Sequence, residues 1–453
     1  MKTDDPVPDR SSFSTAASPR GASHGSSHGA SHESSGAALS RGPSPPVSLW
    51  REAGYRWFLI SLAATTLASQ IQGAAVAYQL YALTRDPLSL GLVGLAEALP
   101  FIALALPAGH LADVYDRGRL GAGALAILAL SAAGLFLMTR GQASLGAGGV
   151  RACAYGLIGL TGICRAFLSP TRTGLTSLIV PAELLPAAVK VRAGLWQVTA
   201  VAGPAVGGML YAALGAAAAY GVATALLLIA LFAWGRVAAP RTAVVGPQAR
   251  PRMVSSLAEG FRFLQQEPII FAAIALDLFA VLFGGAAALL PVFAEEILHV
   301  GPRGFGLLRA APGVGAMVTS IVLIAAPPFR RSGRAMLVSV ALFGAFTVAF
   351  ALSRWFVVSL LLLGASGAAD MVSVVIRGTL LQVRVPLSMQ GRLTAINQIF
   401  VGSSNEIGAF ESGVAARLLG TVPSVVVGGT VTLVVVAVAA WRAPALRRLG
   451  PLS

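Results

Sequence analysis

Several ionisable residues of this sequence stand inside long apolar runs: Glu97, Arg165, Asp277, Asp370, Glu406 and Glu411. An ionised group at the centre of a bilayer costs about 2.5–3.5 kcal/mol on insertion scales, so each needs a partner or a task. A carboxyl in such surroundings can take up and give back a proton, the elementary step of proton-coupled transport. For that step the order of candidates is Asp277, Glu406, Asp370 and Glu97, with Arg165 as a fixed positive charge for an acidic partner or a substrate. Glu406 and Glu411 are five residues apart, about 500° of helix rotation, so they do not share a face; packing or helix-bonding roles are equally open to them. Gln70 and Gln72 can donate to a substrate or tie their helix to its neighbours.

Other chemistries lack their residues. Cys153 and Cys164, eleven apart in one apolar run, do not have a metal spacing. His24, His28 and His32 recur every fourth residue in a Ser/Gly-rich tail, which reads as a weak metal site or as low complexity. His110 and His299 are isolated loop residues. There is no Walker A sequence, no HExxH and no nucleophile elbow. The chain is therefore expected to be neither an enzyme nor an ATP-driven pump, and to need no cofactor or metal, only an ion gradient, with protons the first candidate.

The elements that hold these residues follow from composition. Of 453 residues, 56% are hydrophobic and 11% charged, against roughly 25% charged in a soluble domain. Uncharged runs long enough for a ~30 Å core recur along the chain. They fall at about 57–82, 88–112, 120–139, 153–169, 191–213 and 216–234, then 268–293, 304–326, 335–352, 355–376, 393–416 and 422–441. The expected fold is an all-α membrane protein with 12 transmembrane helices in two six-helix bundles. With the N-terminus inside, cytoplasmic segments hold 25 of the 33 basic residues and outer loops five (Arg85, Arg140, Arg151, Arg303, Arg354). That asymmetry places both termini in the cytoplasm. It also accounts for the net charge of +15 without nucleic-acid binding. The organisation reads as a disordered cytoplasmic tail (1–50), a first bundle (51–234), a central cytoplasmic loop (235–267), a second bundle (268–441) and a C-tail (442–453). Leu257–Leu264, in the central loop, alternates apolar and polar groups and suits the membrane surface.

The two bundles are copies. Adding 215 maps Gly91-Leu92 onto Gly306-Leu307 and Gly118-Arg119 onto Gly333-Arg334. Adding 205 maps Arg172 onto Arg377, Leu175 onto Leu380, Val180-Pro181 onto Val385-Pro386, Gly203 onto Gly408 and Gly208 onto Gly413. Parallel six-span repeats imply an axis along the membrane normal and a binding cavity between the halves. The 205 offset also carries Arg165 onto Asp370. Equivalent positions share depth and facing, so these two are expected to face each other across the cavity; the alternative is that each is satisfied locally, Asp370 by Arg377.

The turn after the second span, Gly109-His110-Leu111-Ala112-Asp113-Val114-Tyr115-Asp116-Arg117-Gly118-Arg119, resembles the signature loop of the major facilitator superfamily. Gly109, Leu111, Ala112, Asp113 and Arg117 match; Val114 replaces the first Arg, Asp116 replaces a Gly, and the last Arg comes one place late as Arg119. The resemblance makes Gly109, Asp113, Arg117 and Arg119 a conformational gate loop, with the arginines bracing acidic or carbonyl groups of the facing half. Gly203-Pro204-Ala205-Val206-Gly207-Gly208 resembles the end of the superfamily's antiporter motif, whose plain alternative is helix packing. Leu276-Asp277-Leu278-Phe279, Leu290-Pro291-Val292-Phe293-Ala294, Gly367-Ala368-Ala369-Asp370-Met371 and Ser404-Asn405-Glu406-Ile407-Gly408 through Gly413 resemble the branch that includes the enterobactin exporter and related transmembrane secretion proteins (drug or siderophore efflux). The resemblance covers about residues 55–445. It implies a secondary transporter, with spans 1, 4, 7 and 10 lining the cavity, that exports small lipophilic or amphipathic molecules by alternating access. Proton-coupled import, or a non-transporting receptor of the same fold, are the alternatives. The expected setting is a monomer in the bacterial cytoplasmic (inner) membrane, its partners a small-molecule substrate and the bilayer.

Overall fold

The computed structural model describes residues 49–237, 253–284 and 286–451, apart from the side chains of Arg51, Leu106, Asp113, Ala182, 253–258, Leu387, Ser388, Thr394, Ala395, Gln398 and Ile399. The tail histidines, residues 238–252 and the Asp113 side chain lie outside the described residues.

Backbone that crosses hydrocarbon must satisfy its own hydrogen bonds, and helices do so within one segment. The main helices are α1 (Ala53–Thr84), α2 (Pro87–Val114), α3 (Arg117–Arg140), α4 (Gln142–Ile179), α5 (Leu185–Gly235), α6 (Met253–Gln266), α7 (Pro268–Gly284), α8 (Gly301–Ala325), α9 (Ser332–Leu352), α10 (Phe356–Arg384), α11 (Leu387–Leu419) and α12 (Thr421–Arg442). Among the described residues, ten helical segments are long and apolar enough to cross a membrane.

Two features reconcile that count with twelve expected spans. First, α5 has 51 residues, about 76 Å at 1.5 Å per residue, far more than one crossing. It breaks at Gly215, whose φ of 81° suits glycine. Its limbs run in opposite directions along α1: Tyr55 and Gln70 donate to Ala188 O and Ala200 O on the first limb, while Ser61 Oγ donates to Ala230 O on the second. Second, α11 has the length of a span but carries Arg392, Glu406, Glu411 and Arg417, which lower its hydropathy.

Three expectations are corrected. The central loop is not all loop: α6 includes Leu257–Leu264 and docks on α11, with Leu264 fully buried and Glu259 Oε2 2.5 Å from Arg392 Nη1. Arg172 and Arg377, placed in inner loops, lie within α4 and α10. Hydropathy marks only the hydrocarbon segment, whereas helical bonding continues past it until Val180-Pro181 and Val385-Pro386, where proline ends both copies alike. Finally, the seventh span runs over Pro268–Ile297 but is not one regular α-helix. Beyond α7 it includes a tighter 3-10 turn over Ala286–Leu289, a short α-helical turn over Leu290–Val292 and a wide π-helical turn, Phe293–Ile297.

Each half has its own core. One apolar cluster, including Tyr55, Phe58, Leu125, Leu135 and Tyr220, is drawn wholly from residues 49–237; another, including Ile270, Met336 and Leu380, wholly from 264–449. A third joins the halves through Tyr78, Tyr81, Phe293 and Phe305 at the end of the bundle that carries the α1–α2 turn. Closest approach between the halves occurs at two glycine crossings. A methyl group on Gly208 of α5 would sit 2.6 Å from Pro302 O and 2.7 Å from Gly306 Cα of α8. One on Gly413 of α11 would sit 3.1 Å from Pro87 O and 2.9 Å from Gly91 Cα of α2. The 215 offset relates Pro87 and Gly91 to Pro302 and Gly306, and the 205 offset relates Gly208 to Gly413. Four of the repeat anchors, Gly91, Gly208, Gly306 and Gly413, are thus residues where the halves touch.

Candidate functional site

The α2–α11 crossing leads directly to the charges. Two turns from Gly413 along α11 stands Glu406, whose backbone lies against Gly94 of α2, one turn from Glu97. Gly162 lets α4 pack on the Glu97 backbone, which brings Arg165 alongside. Arg165 Nη1 reaches Glu97 Oε1 at 2.5 Å and Glu406 Oε1 at 3.3 Å. Its guanidinium carbon is 5.5 Å from the Phe101 ring centre. One arginine of the first half therefore joins a carboxylate of its own half to a carboxylate of the other. Arg309 of α8 is electrostatically coupled to both acids, and its Nη2 lies near Gly73 of α1. Two acids and two arginines make a neutral cluster between the halves.

Water reaches this cluster. The Arg165 side chain is 45% exposed, those of Glu97 and Glu406 23% and 22%. Arg165, Ser169, Thr173 and Ser177, spaced by four, are the exposed residues of one face of α4. A polar face on a membrane helix implies a water-filled space in front of it. Their repeat equivalents on α10 are Asp370, Val374, Gly378 and Gln382, of which Val374 and Gln382 are exposed.

Arg165 and Asp370, expected to face each other across the cavity, do not pair with each other in this structure. Arg165 binds Glu97 and Glu406, while Asp370 stands in the field of Asp277 and Arg377 within the second half. Asp277 of α7 and Arg377 of α10 form an ion pair whose side chains are 7% and 6% exposed. Gln70 donates to Ala200 O of α5 and Gln72 to Thr161 of α4, so both tie α1 to its neighbours.

The motif loops have local partners. Asp116, which departs from the family pattern, caps α3 by accepting from Arg119 N at 2.8 Å. Arg117 donates to Ala112 O at 3.0 Å and its guanidinium covers Gly174 of α4. Both of these contacts lie in its own half. Gly109 lies in the last turns of α2. In the other motif, Gly203 and Gly207 pack on Gln70 and Ile71 of α1, Pro204 O lies against Gly306, and Gly208 makes the crossing with α8. The motif residues make close helix contacts, part of them between the halves.

Sequence reasoning missed a polar latch at the α1–α2 end. Tyr78 and Tyr81 of α1 donate to Glu295 and Glu296 of the π-helical turn. Arg85 Nη2 lies 3.3 Å from Glu295, and Asp86 pairs with Arg417 at the end of α11 at 3.3 Å. Glu295 and Glu296 fell just past the expected seventh span; their one sequence signal was two adjacent acids at a membrane edge. Arg309, inside the apolar run at 304–326, was missed as well.

Comparison with known proteins bears on this arrangement. A family model described as transmembrane secretion effector matches residues 44–449. The enterobactin exporter EntS of Citrobacter koseri is 27% identical over 375 residues, 79% of this chain and 84% of the exporter. EntS of Salmonella typhi aligns with the same identity and coverage. Among solved structures, a bacterial homologue of the lysosomal transporter Spinster, inward-facing and unoccupied, has a TM-score of 0.64 at 14% identity, covering 87% of this chain and 98% of its own. The nucleoside transporter NupG has 0.66 at 12% identity, covering 86% and 98%. At such identity the structures show a shared fold.

Proposed function

We propose, for a chain that belongs to the transmembrane secretion effector family of the major facilitator superfamily, that it exports small lipophilic or amphipathic molecules in exchange for protons. It is a multi-pass membrane protein, and its relatives are transporters, not enzymes. The observation that carries the coupling is Arg165 shared between Glu97 and Glu406 across the two halves.

A half-exposed ion pair is worth about 1 kcal/mol or less, weak enough to exchange within a cycle. A proton on Glu406 turns its carboxylate into a neutral acid and removes the attraction that holds α11 to Arg165. The α2–α11 seam is then loose, so the emptied carrier, holding a proton taken up outside, rocks back about the glycine crossings and gives the proton up to the cytoplasm, where the pair with Arg165 re-forms. With both termini in the bacterial cytoplasm, as the basic residues argue, the latched α1–α2 end is the outer one. The state described is then open to the cytoplasm and ready for cargo. The outward-open state takes its proton on the Glu97–Glu406 pair, releases cargo, and returns. Asp277, first in the sequence ranking, is assigned instead to holding α7 on α10. Efflux is supported by the exporter relatives and by the antiporter-like motif at the crossing. The protein acts as a monomer, with the bilayer and a small-molecule cargo as its partners.

Everted membrane vesicles, energised to an acidic lumen and given a lipophilic fluorescent dye, test this. Dye uptake should collapse when a protonophore dissipates the gradient, and Glu406→Gln should abolish the dependence on it. Uptake indifferent to the pH gradient would sink proton exchange.

A further inference from the structure

The repeat sets two arginines in equivalent places with opposite surroundings. Arg377 of α10 is neutralised by Asp277 of α7. Among the described residues its counterpart, Arg172 of α4, has no such partner: its Nε and Nη2 atoms are shut off from solvent and make no hydrogen bond. The charged group acting on it is a second cation, Arg192 of the first limb of α5. Arg192 in turn acts on Tyr55 of α1, whose hydroxyl is bonded to Ala188 O. Arg172 and Arg192 thus lie within each other's electrostatic field, with Tyr55 of α1 also in the field of Arg192. None of the three helices can supply a counter-ion, because α1, α4 and α5 contain no Asp or Glu over their whole length.

A buried guanidinium with unmet donors facing another cation is unfavourable as it stands. Guanidinium presents its N–H groups in a planar fork that matches an oxyanion, and an anion between two such groups offsets their repulsion. The place is also accessible to a ligand. Ser169, Thr173 and Ser177 line the exposed face of α4 beside Arg172, and Val189, Ala193 and Trp196 are exposed on α5 around Arg192. We propose that Arg172 and Arg192 form an oxyanion subsite, for a carboxylate or phosphate group, at the α2–α3 end of the first half. In the second half Asp277 occupies the corresponding role, so the subsite exists once. The oxyanion comes from a soluble ligand or from a phospholipid headgroup.

The test uses the full chain in detergent with inorganic phosphate as the probe and sodium chloride at matched ionic strength as reference. Phosphate should raise the unfolding temperature beyond chloride, as a ligand of the native state does. Arg172→Gln and Arg192→Gln should each need at least about tenfold more phosphate for the same shift, the loss of a charge-assisted bond. Lys190→Gln, which removes a nearby exposed charge, should behave as the parent. If Arg172→Gln does not fold, Arg192→Gln and Arg172→Lys carry the comparison. A phosphate shift equal to that of chloride, or one unchanged in both arginine variants, overturns the proposal. Nanodiscs of phosphatidylcholine, with and without phosphatidylglycerol, separate the sources. Competition by phosphatidylglycerol assigns the site to a headgroup, and its absence to a soluble oxyanion; both uphold the subsite. The reading is independent of the vesicle assay, since a transporter without proton coupling would still show the phosphate shift.

Discussion

Between α2 and α11, Gly413 rests on Pro87 and Gly91, and two turns deeper Glu406 shares Arg165 with Glu97. Between α5 and α8, Gly208 rests on Pro302 and Gly306, and the positions equivalent to Glu406 and Glu97 are Val201 and Pro312. Duplication supplied the same close contact twice, because small residues let two helices approach wherever the halves must rock. Divergence then put both acids at one contact only; Arg309, three residues from Gly306 on α8, acts on that same pair of acids. On the proposed function the difference separates two tasks: the α5–α8 seam would serve as a bearing, and the α2–α11 seam as a bearing with a switch.

The largest effect should come from an ion pair outside both seams. Asp277 and Arg377 lie within one half and are almost free of water, so Asp277→Asn strands a buried charge at a cost of about 3–5 kcal/mol. Thermal unfolding should shift accordingly, and adding Arg377→Gln should recover much of the loss. If instead Asp277→Asn folds normally and alters only the pH dependence of transport, the switch belongs to α7, and the contrast between the seams fails.

Next comes Arg165→Gln. Losing the shared donor should cut transport in vesicles by about a hundredfold, some 2.7 kcal/mol, with little change in unfolding temperature, because half-exposed pairs contribute little stability. Full activity in this variant would make the charged seam mere packing.

Smaller and symmetric effects are expected at the glycines. Gly208→Leu and Gly413→Leu should each lower transport by about tenfold, because added side-chain volume at a close helix contact forces the backbones apart. Each should also expose the α1–α2 end, read as faster thiol labelling of Ser89→Cys, a buried position in the structure. A large effect at one glycine and none at its copy would show that only one seam closes that end.

Much of this arrangement was legible beforehand. The apolar runs located the helices because an unpaired backbone cannot stay in hydrocarbon. The offsets picked out Gly91, Gly208, Gly306 and Gly413 before any contact was known, since tight helix approach tolerates no substitute for glycine. Less legible were the irregular turns after α7 and the Tyr78 and Tyr81 latch, because a span-length apolar run hides an internal irregularity and Glu295 looked like loop. α6 was also hidden: fourteen residues are too few to register as a span, and only its docking on α11 distinguishes it from a surface segment.

The sequence by itself determined the membrane class, the duplication, and which residues carry charge at a given depth. Arg165 and Asp370 are equivalent in it, and that equivalence stands. Which charges meet was decided by tertiary structure alone. A repeat places two residues at the same depth on opposite sides of an axis, but an ion pair needs a few ångströms of separation. That separation depends on how far the cavity between the halves is open. In this conformation α2, beside α4 in the first half, and α11, packed on α2 from the second half, bring acids within reach of Arg165, so its partners are Glu97 and Glu406.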